Sequence, residues 1–137
     1  MIALERIARF DAQRLECLLR TATAGALVGH GGFGWAMAKR DWVGYFGAVG
    51  VGSATVHDAS LLAAVGLFET ALGLLVLARP APALLLFVVA WRLGTELLRP
   101  LAGEPLWEFV ERWSNYTAPL ALLWVRGWPT TLREWLR

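Results

Sequence analysis

The chain has 137 residues, of which 57% are hydrophobic and 18% are charged, and its formal net charge is +2. Soluble domains contain about 45–50% apolar and about 25% charged residues, so this composition indicates a membrane protein. The small net charge and the dispersed arginines do not favour a nucleic-acid-binding protein. A single cysteine, Cys17, excludes an internal disulfide and a cysteine-based metal cluster.

The first 38 residues predict an amphipathic helix followed by a membrane span. In residues 1–17, leucine and isoleucine recur at helical spacing, with arginines mostly on the opposite face. This pattern is typical of a helix that lies on a membrane surface, and a solvated arm is the alternative. Residues 18–38 have no charged residue after Arg20. Their length of about 20 residues is enough to cross a hydrocarbon core of about 30 Å.

Two glycine patterns in this span predict contacts with other helices. Gly25 and Gly29 follow Thr21 at four-residue spacing, and such a row of small residues lets a second helix approach closely. Residues 29–34 contain four glycines, which is unusual inside a helix. This run predicts either a close backbone contact or local unwinding.

The remaining apolar segments complete a predicted four-helix bundle. Residues 42–58 are rich in glycine and aromatic side chains, which predicts a short interfacial or re-entrant segment after the first span. A turn at 79–82 separates the second and third apolar segments because proline cannot continue the preceding helix. The whole chain, 1–137, is predicted to be one all-α integral membrane domain. Its spans are predicted at about 18–38, 59–78, 83–98 and 116–132.

The distribution of arginine and lysine predicts the orientation, since cytoplasmic loops carry an excess of these residues. One side holds eight of them: Arg6, Arg9, Arg14, Arg20, Arg79, Arg126, Arg133 and Arg137. The other side holds four: Lys39, Arg40, Arg99 and Arg112. Both termini are therefore predicted to be cytoplasmic.

The second and third spans place opposite charges at matched depth. Glu69 lies eleven residues before Pro80, and Arg92 lies twelve residues after it. In an antiparallel hairpin these side chains meet, with Glu96 one turn further out. Charged residues inside a bilayer are expensive, so they usually face the protein interior and pair. The sequence thus predicts an ion pair between Glu69 and Arg92.

This ion pair has two interpretations. Gly66 and Gly73 share the helical face of Glu69 and predict the close approach of a neighbouring helix. In the functional interpretation, the charged residues form a polar pocket that holds a small substrate or a quinone head group, or relays protons. In the structural interpretation, the pair only sets the register of the helices. Both remain open, and no catalytic residue is assigned.

Two histidines and an acidic cluster are the other candidate ligands. His30 could be a haem ligand, a proton carrier or a hydrogen-bond donor to a quinone, or simply a buried, hydrogen-bonded histidine. A bis-histidine haem is disfavoured because His57 lies close to the predicted interface. Glu104, Glu108 and Glu111 share one helical face, which favours a solvated surface over a cation site. No metal site is predicted.

The order of elements over about residues 17–126 resembles the DoxX-like family of small bacterial four-helix membrane proteins. The resemblance depends on Arg20, the His30–Gly31 pair, the aromatic and glycine-rich segment after Lys39, and the run GLFETALG at 66–73. It implies a multi-pass protein of the bacterial inner membrane. Members include the membrane subunit of a thiosulfate:quinone oxidoreductase and partners in thiol-redox complexes. The chain departs from the family in its acidic, tryptophan-rich segment after Arg99 and in having no cysteine pair.

These observations lead to two main functional hypotheses. The first is a membrane subunit of a redox or electron-transfer system that binds a quinone at an intramembrane polar site. That site would be formed by Glu69, Arg92, Glu96 and His30. The second is a non-catalytic accessory subunit that packs against other subunits of a larger membrane complex. A transporter or small channel is a third option, and it would require oligomerisation because the chain is short.

Overall fold

The structure, a computed structural model, describes residues 2–37, 42–51 and 56–137, with side chains from 11–37, 42–51 and 59–137. The regular elements in these ranges are all helical, which confirms the predicted all-α class. They are α1 (Ile2–Trp35), α2 (Val43–Ala48), α3 (Val56–Ala78), α4 (Pro82–Leu101), α5 (Leu106–Val110), α6 (Ser114–Arg126) and α7 (Leu132–Trp135).

The four longest helices pack around one another, with α1 between α3 and α6 and with α4 against α6. Helices α1 and α3 are antiparallel, since Arg20 Nε donates to the carbonyl of Val76, 3.1 Å away, while Gly34 lies beside Gly66. We call the end with the α3–α4 turn the Arg79 end. The opposite end, where α2 and α5 lie, is the Tyr45 end.

An apolar core fills the half of the bundle nearer the Arg79 end. Each long helix contributes fully buried aliphatic side chains to it, including Leu27, Val76, Leu85 and Leu122. The charged side chains that are buried lie instead in the other half, on α3 and α4. The bundle is therefore divided along its length into an apolar half and a polar half.

The first helix corrects two predictions. A surface helix at 1–17 was predicted to be separate from a span at 18–38, but α1 runs unbroken from Ile2 to Trp35. No proline interrupts this stretch, and no glycine precedes Gly25, so nothing in the sequence breaks the helix at residue 17. The glycine-rich run 29–34 is also helical, so the local unwinding alternative is wrong. The predicted end of the span at Ala38, with Lys39 and Arg40, lies outside the described residues.

Two predicted packing glycines are confirmed on α3. A Cβ atom built on Gly66 would lie 2.7 Å from the backbone nitrogen of Trp35, and one on Gly73 would lie 2.9 Å from the carbonyl of Ala24. Both contacts are with the backbone of α1. A side chain at either position would push the two helices apart.

Gly25 and Gly29 were predicted to pack against another helix, and no helix of the described chain packs against them. A Cβ atom built on either residue meets no atom of the described chain within 4 Å. The α1 glycines that do meet α3 are Gly31 and Gly34. Helix α1 therefore has two faces with small residues, one with Gly25 and Gly29 and one with Gly31 and Gly34. Helix α3 packs on the face with Gly31 and Gly34.

The fourth predicted span is wrong in its extent. It was expected at 116–132, but α6 ends at Arg126, because Gly127 has a φ of 93° and Pro129 follows. Its 13 residues give a length of about 20 Å, less than the hydrocarbon thickness of about 30 Å. The predicted short segment at 42–58 is represented by the six-residue helix α2 and the start of α3, while residues 52–55 lie outside the described chain.

Within the described residues, one helical segment is long and apolar enough to cross a membrane. It is Ala59–Ala78 of α3, which has a mean hydropathy of 2.2, and 33% of its most apolar stretch is buried in the structure. Helix α4 is equally long, but it contains three charged residues, Arg92, Glu96 and Arg99. Helix α6 is too short.

Candidate functional site

Glu69 lies where three helices meet, and its side chain is 1% exposed. Its Oε2 atom lies 2.5 Å from Nδ1 of His30 on α1. Its Oε1 atom accepts hydrogen bonds from Trp91 Nε1, at 2.9 Å, and from Arg92 Nη1, at 3.2 Å, both on α4. The predicted contact between Glu69 and Arg92 is therefore present, and the carboxylate also joins α3 to α1.

A second buried carboxylate, Glu96, lies one turn along α4. Arg92 Nη2 donates to Glu96 Oε1 at 2.8 Å, so this arginine bridges the two acids. Asn115 Nδ2 of α6 donates to the same oxygen at 2.8 Å, and Arg99 Nε donates to Oε2 at 3.1 Å. Glu96 thus links α4 to α6, and the sign of the charge alternates from Glu69 to Arg99.

The network continues to the Tyr45 end. Arg99 Nη1 donates to Glu104 Oε2 at 2.9 Å and to the hydroxyl oxygen of Tyr45 at 3.0 Å. The Tyr45 hydroxyl in turn donates to Glu104. Burial raises the pKa of Tyr45 to about 12, and its hydrogen bond to Glu104 acts in the same direction. That same hydrogen bond lowers the pKa of the Glu104 carboxyl.

Arg112 forms a branch of the network beside Glu96. Its Nη1 atom lies 2.8 Å from Glu108 Oε2 and 2.7 Å from Glu111 Oε1, and its Nε lies 3.8 Å from Glu96 Oε2. The acidic cluster of Glu104, Glu108 and Glu111 was predicted to be a solvated face. In the structure Glu104 is paired with Arg99, and the other two are paired with Arg112. No group of three or more potential metal-binding side chains occurs among the described residues.

Pairing makes the burial of these charges possible. An isolated buried carboxylate or guanidinium would carry a desolvation cost of several kcal/mol, which attraction between close partners offsets only if the remaining polar atoms are also bonded. Arg92 does not meet this condition completely, since its buried Nε atom has no hydrogen-bond partner in the described part of the protein. The Tyr116 hydroxyl on α6 is a second buried atom of this kind.

A cleft of about 510 Å³ opens beside the network. Gly25 and Gly29 of α1 form one wall, and the side chains of His30, Arg92 and Asn115 line it. The wall is flat because no side chain projects from these two glycines. Trp42 also lines the cleft and stacks on the His30 ring with the ring centroids 4.5 Å apart. A smaller cavity of about 60 Å³ lies behind His30 and Glu69.

The structure brings all four predicted site residues, Glu69, Arg92, Glu96 and His30, into one hydrogen-bonded network. Sequence reasoning missed Trp91, which lies beside Arg92 on α4, and the partners that other elements supply: Trp42, Tyr45, Arg112 and Asn115. For Trp91, adjacency to Arg92 was an available signal. The side chain of His57, considered as a second haem ligand, lies outside the described residues.

No family model, curated protein or solved structure matches the chain. The resemblance to the DoxX-like family thus rests on the residues quoted above and stays a prediction. Function is therefore inferred from the geometry of the network and the cleft.

Proposed function

We propose that the chain is a multi-pass α-helical membrane protein of the DoxX-like type. In this proposal it works in a redox or electron-transfer system, and the cleft beside the buried network binds a quinone head group. The observation that carries the proposal is that paired charges lie inside the bundle while large apolar side chains cover its outside.

The outer surface supports placement in a membrane. Leu67, Leu74 and Leu75 of α3 are each more than half exposed, and Phe87 on α4 is 45% exposed. Soluble monomers rarely expose large continuous apolar patches. The core helix of a soluble protein would be mostly buried, whereas only a third of the most apolar stretch in Ala59–Ala78 is buried. A lipid environment accounts for both observations.

The orientation and location follow from the same proposal. The Arg79 end would be cytoplasmic, together with both termini, because arginine is concentrated there. The membrane would be the bacterial inner membrane, as in the DoxX-like family. The Tyr45 end, with its paired acidic residues, would face the periplasm.

The shape and the donors of the cleft support a quinone. A volume of about 510 Å³ is within the range of about 300–1,000 Å³ found for small-molecule sites. The glycine wall and the Trp42 ring would accommodate a flat ring. His30, Arg92 and Asn115, which line the cleft, would donate hydrogen bonds to its carbonyl oxygens.

A proton-carrying pair lies at the edge of the cleft. The His30 side chain is 24% exposed, and its Nδ1 atom shares a 2.5 Å contact with the buried Glu69 carboxylate. A bound quinone supplies two-electron chemistry that is coupled to two protons. In this proposal the His30 ring, which is hydrogen-bonded to Glu69, would relay these protons. The electrons would come from a redox partner protein.

The membrane proposal is tested by fractionation. The expressed chain should remain in the membrane pellet after alkaline carbonate extraction. Cysteines placed singly in a Cys17→Ser background should then report the side on which each end lies. Release of the chain by carbonate would contradict the membrane proposal.

The quinone proposal is tested with a pair of glycine variants. Gly25→Leu places an apolar side chain in the cleft, and its Cβ atom would have no described atom within 4 Å. Gly32→Leu is the matched control, because Gly32 has the same open surroundings but does not line the cleft. Quinone extracted per purified chain should fall about tenfold or more in Gly25→Leu, equivalent to about 1.4 kcal/mol of binding, and stay unchanged in Gly32→Leu.

Two further variants test the polar side of the cleft. Glu69→Gln and Arg92→Leu should each lower the quinone content, whereas Arg126→Leu, at the Arg79 end, should not. If Gly25→Leu, Glu69→Gln and Arg92→Leu all retain the quinone of the unmodified chain, the quinone site is wrong.

An accessory role is the alternative, and the exposed tryptophans favour it. Trp107 and Trp124 are 76% and 75% exposed, and Trp113 and Trp128 are each more than half exposed. Tryptophan is enriched where proteins contact one another. In this case the chain should be recovered from native membranes with partner subunits, and variants of the buried network should lose assembly. Recovery as a stable, isolated monomer would contradict the accessory role.

A further inference from the structure

Residues 126–137 combine arginine with exposed apolar side chains at the Arg79 end. We propose that this segment binds the headgroup layer of anionic phospholipids. We call it the basic patch: Arg126, Trp128, Leu132, Arg133, Leu136 and Arg137. This inference rests on the proposed membrane insertion and is independent of the quinone site.

The segment is held against the end of the bundle by specific contacts. A capping box starts α7, in which the Thr131 side chain accepts a hydrogen bond from the backbone nitrogen of Glu134 and the Glu134 carboxylate accepts one from that of Thr131. Arg79, in the α3–α4 turn, donates from Nη2 to the carbonyl of Leu136 at 2.7 Å and from Nε to that of Arg137 at 3.3 Å. The helix α7 is therefore tied to the turn.

The apolar side chains of the basic patch point away from the bundle. Leu132 is 78% exposed, Leu136 is 62% exposed and Trp128 is 53% exposed. The Trp128 ring packs edge-on against Trp135, with the ring centroids 5.6 Å apart. A four-residue helix has too little surface to form a core of its own, so an apolar environment outside the bundle is needed to bury these side chains.

The excess of positive charge at the Arg79 end favours binding to an anionic surface. Among the described side chains, this end has six arginines (Arg14, Arg20, Arg79, Arg126, Arg133 and Arg137) and three acidic residues (Asp11, Glu16 and Glu134). The guanidinium groups of Arg133 and Arg137 form no ion pair with residues 11–37, 42–51 or 59–137. Arg126 is paired with Glu16, and at the Tyr45 end Arg99 and Arg112 are both paired with glutamates.

An anionic phospholipid layer meets both requirements at once. Its phosphate groups complement the arginines, and the acyl chains just below them accept leucine and tryptophan side chains. Each arginine close to an anionic membrane surface strengthens binding by about fivefold. An amphipathic, arginine-bearing segment next to a bilayer is the arrangement that such a surface recognises.

The test uses the full chain in a Cys17→Ser background, with an environment-sensitive fluorophore on Leu132→Cys. A second chain carries the label on Leu106→Cys, an exposed leucine on the short helix α5 at the opposite end. Both are reconstituted into vesicles of phosphatidylcholine alone and of phosphatidylcholine with increasing phosphatidylglycerol. The emission maximum of each label is then measured.

We expect a blue shift at position 132 that grows with the phosphatidylglycerol fraction, and no such dependence at position 106. About 1 M salt should abolish the dependence, since the Debye length is then about 3 Å. Arg133→Gln should weaken the attraction about fivefold and so move the midpoint to a higher phosphatidylglycerol fraction, and Arg133→Gln with Arg137→Gln should remove the response.

Two failures are distinguishable. If the chain is inserted, as judged by carbonate resistance, but position 132 responds equally to both lipids or the double variant keeps the response, the lipid inference is wrong. If carbonate releases the chain and both labels report water in every vesicle, the membrane proposal itself fails, and the lipid inference fails with it.

Discussion

Replacing Arg92 with leucine removes the cation that joins Glu69 to Glu96. The three side chains are each 1–2% exposed, and the bonds lost are 3.2 Å and 2.8 Å long. Breaking a buried ion pair by removing one partner typically costs about 3–5 kcal/mol. Glu69 keeps His30, and Glu96 keeps two other donors, so we expect the lower limit, a loss of about 3 kcal/mol in the free energy of unfolding.

The assay is reversible unfolding of the purified chain in mixed micelles, followed by far-UV circular dichroism. Glu69→Gln removes one of the two charges that lose their bond to Arg92 in Arg92→Leu. The double variant should therefore lose less stability than the sum of the single variants, by about 0.5–3 kcal/mol.

The control is Arg126→Leu, which breaks the ion pair with Glu16 at the Arg79 end. Both of its side chains are about 30% exposed, so the expected loss is only about 0–1 kcal/mol. If Arg92→Leu costs no more than this control, or if the two single changes in the network are additive, the buried network does not stabilise the fold as described here.

Two further predictions concern the helix contact and the Tyr45 end. Gly66→Ala should lower the free energy of unfolding by about 1–3 kcal/mol, because its Cβ would lie 2.7 Å from the Trp35 backbone nitrogen. Gly25→Ala should raise it by about 0.5–1 kcal/mol, because alanine has the higher helix propensity. Equal melting temperatures of the two variants would contradict this prediction. Because the pKa of Tyr45 is raised to about 12 from 10.0, its contribution to stability is present below about pH 10 and should be lost as pH rises towards 12. The free energy of unfolding, measured against pH, should decline less over this interval in Tyr45→Phe than in the unmodified chain. An identical decline would refute the raised pKa of Tyr45.

The polar centre of the site could be predicted because its members belong to two segments joined by a short turn. The turn at Pro80 sets the depth of Glu69 relative to Arg92, and the four-residue spacing of Arg92 and Glu96 places them on one face of a helix. Both relations depend on distance along the chain. They hold whichever other helices surround the hairpin.

The partners from other elements could not be predicted in this way. Trp42 and Tyr45 belong to or adjoin α2, and Asn115 comes from α6. No spacing rule places them beside His30, Arg99 or Glu96. The end of α6 could have been predicted, because Gly127 and Pro129 are sequence signals for the end of a helix. A span long enough to cross a membrane was expected instead.

The sequence by itself determined the helical class, the long apolar segments and the position of Glu69 relative to Arg92 along the hairpin. Each of these depends on composition or on the rise per residue along a helix. Only the tertiary structure decided which face of each helix is covered, so that Gly31 and Gly34 rather than Gly25 and Gly29 contact α3. Lateral neighbours depend on how complete helix surfaces fit together, and two faces with equally small residues differ only in what packs against them.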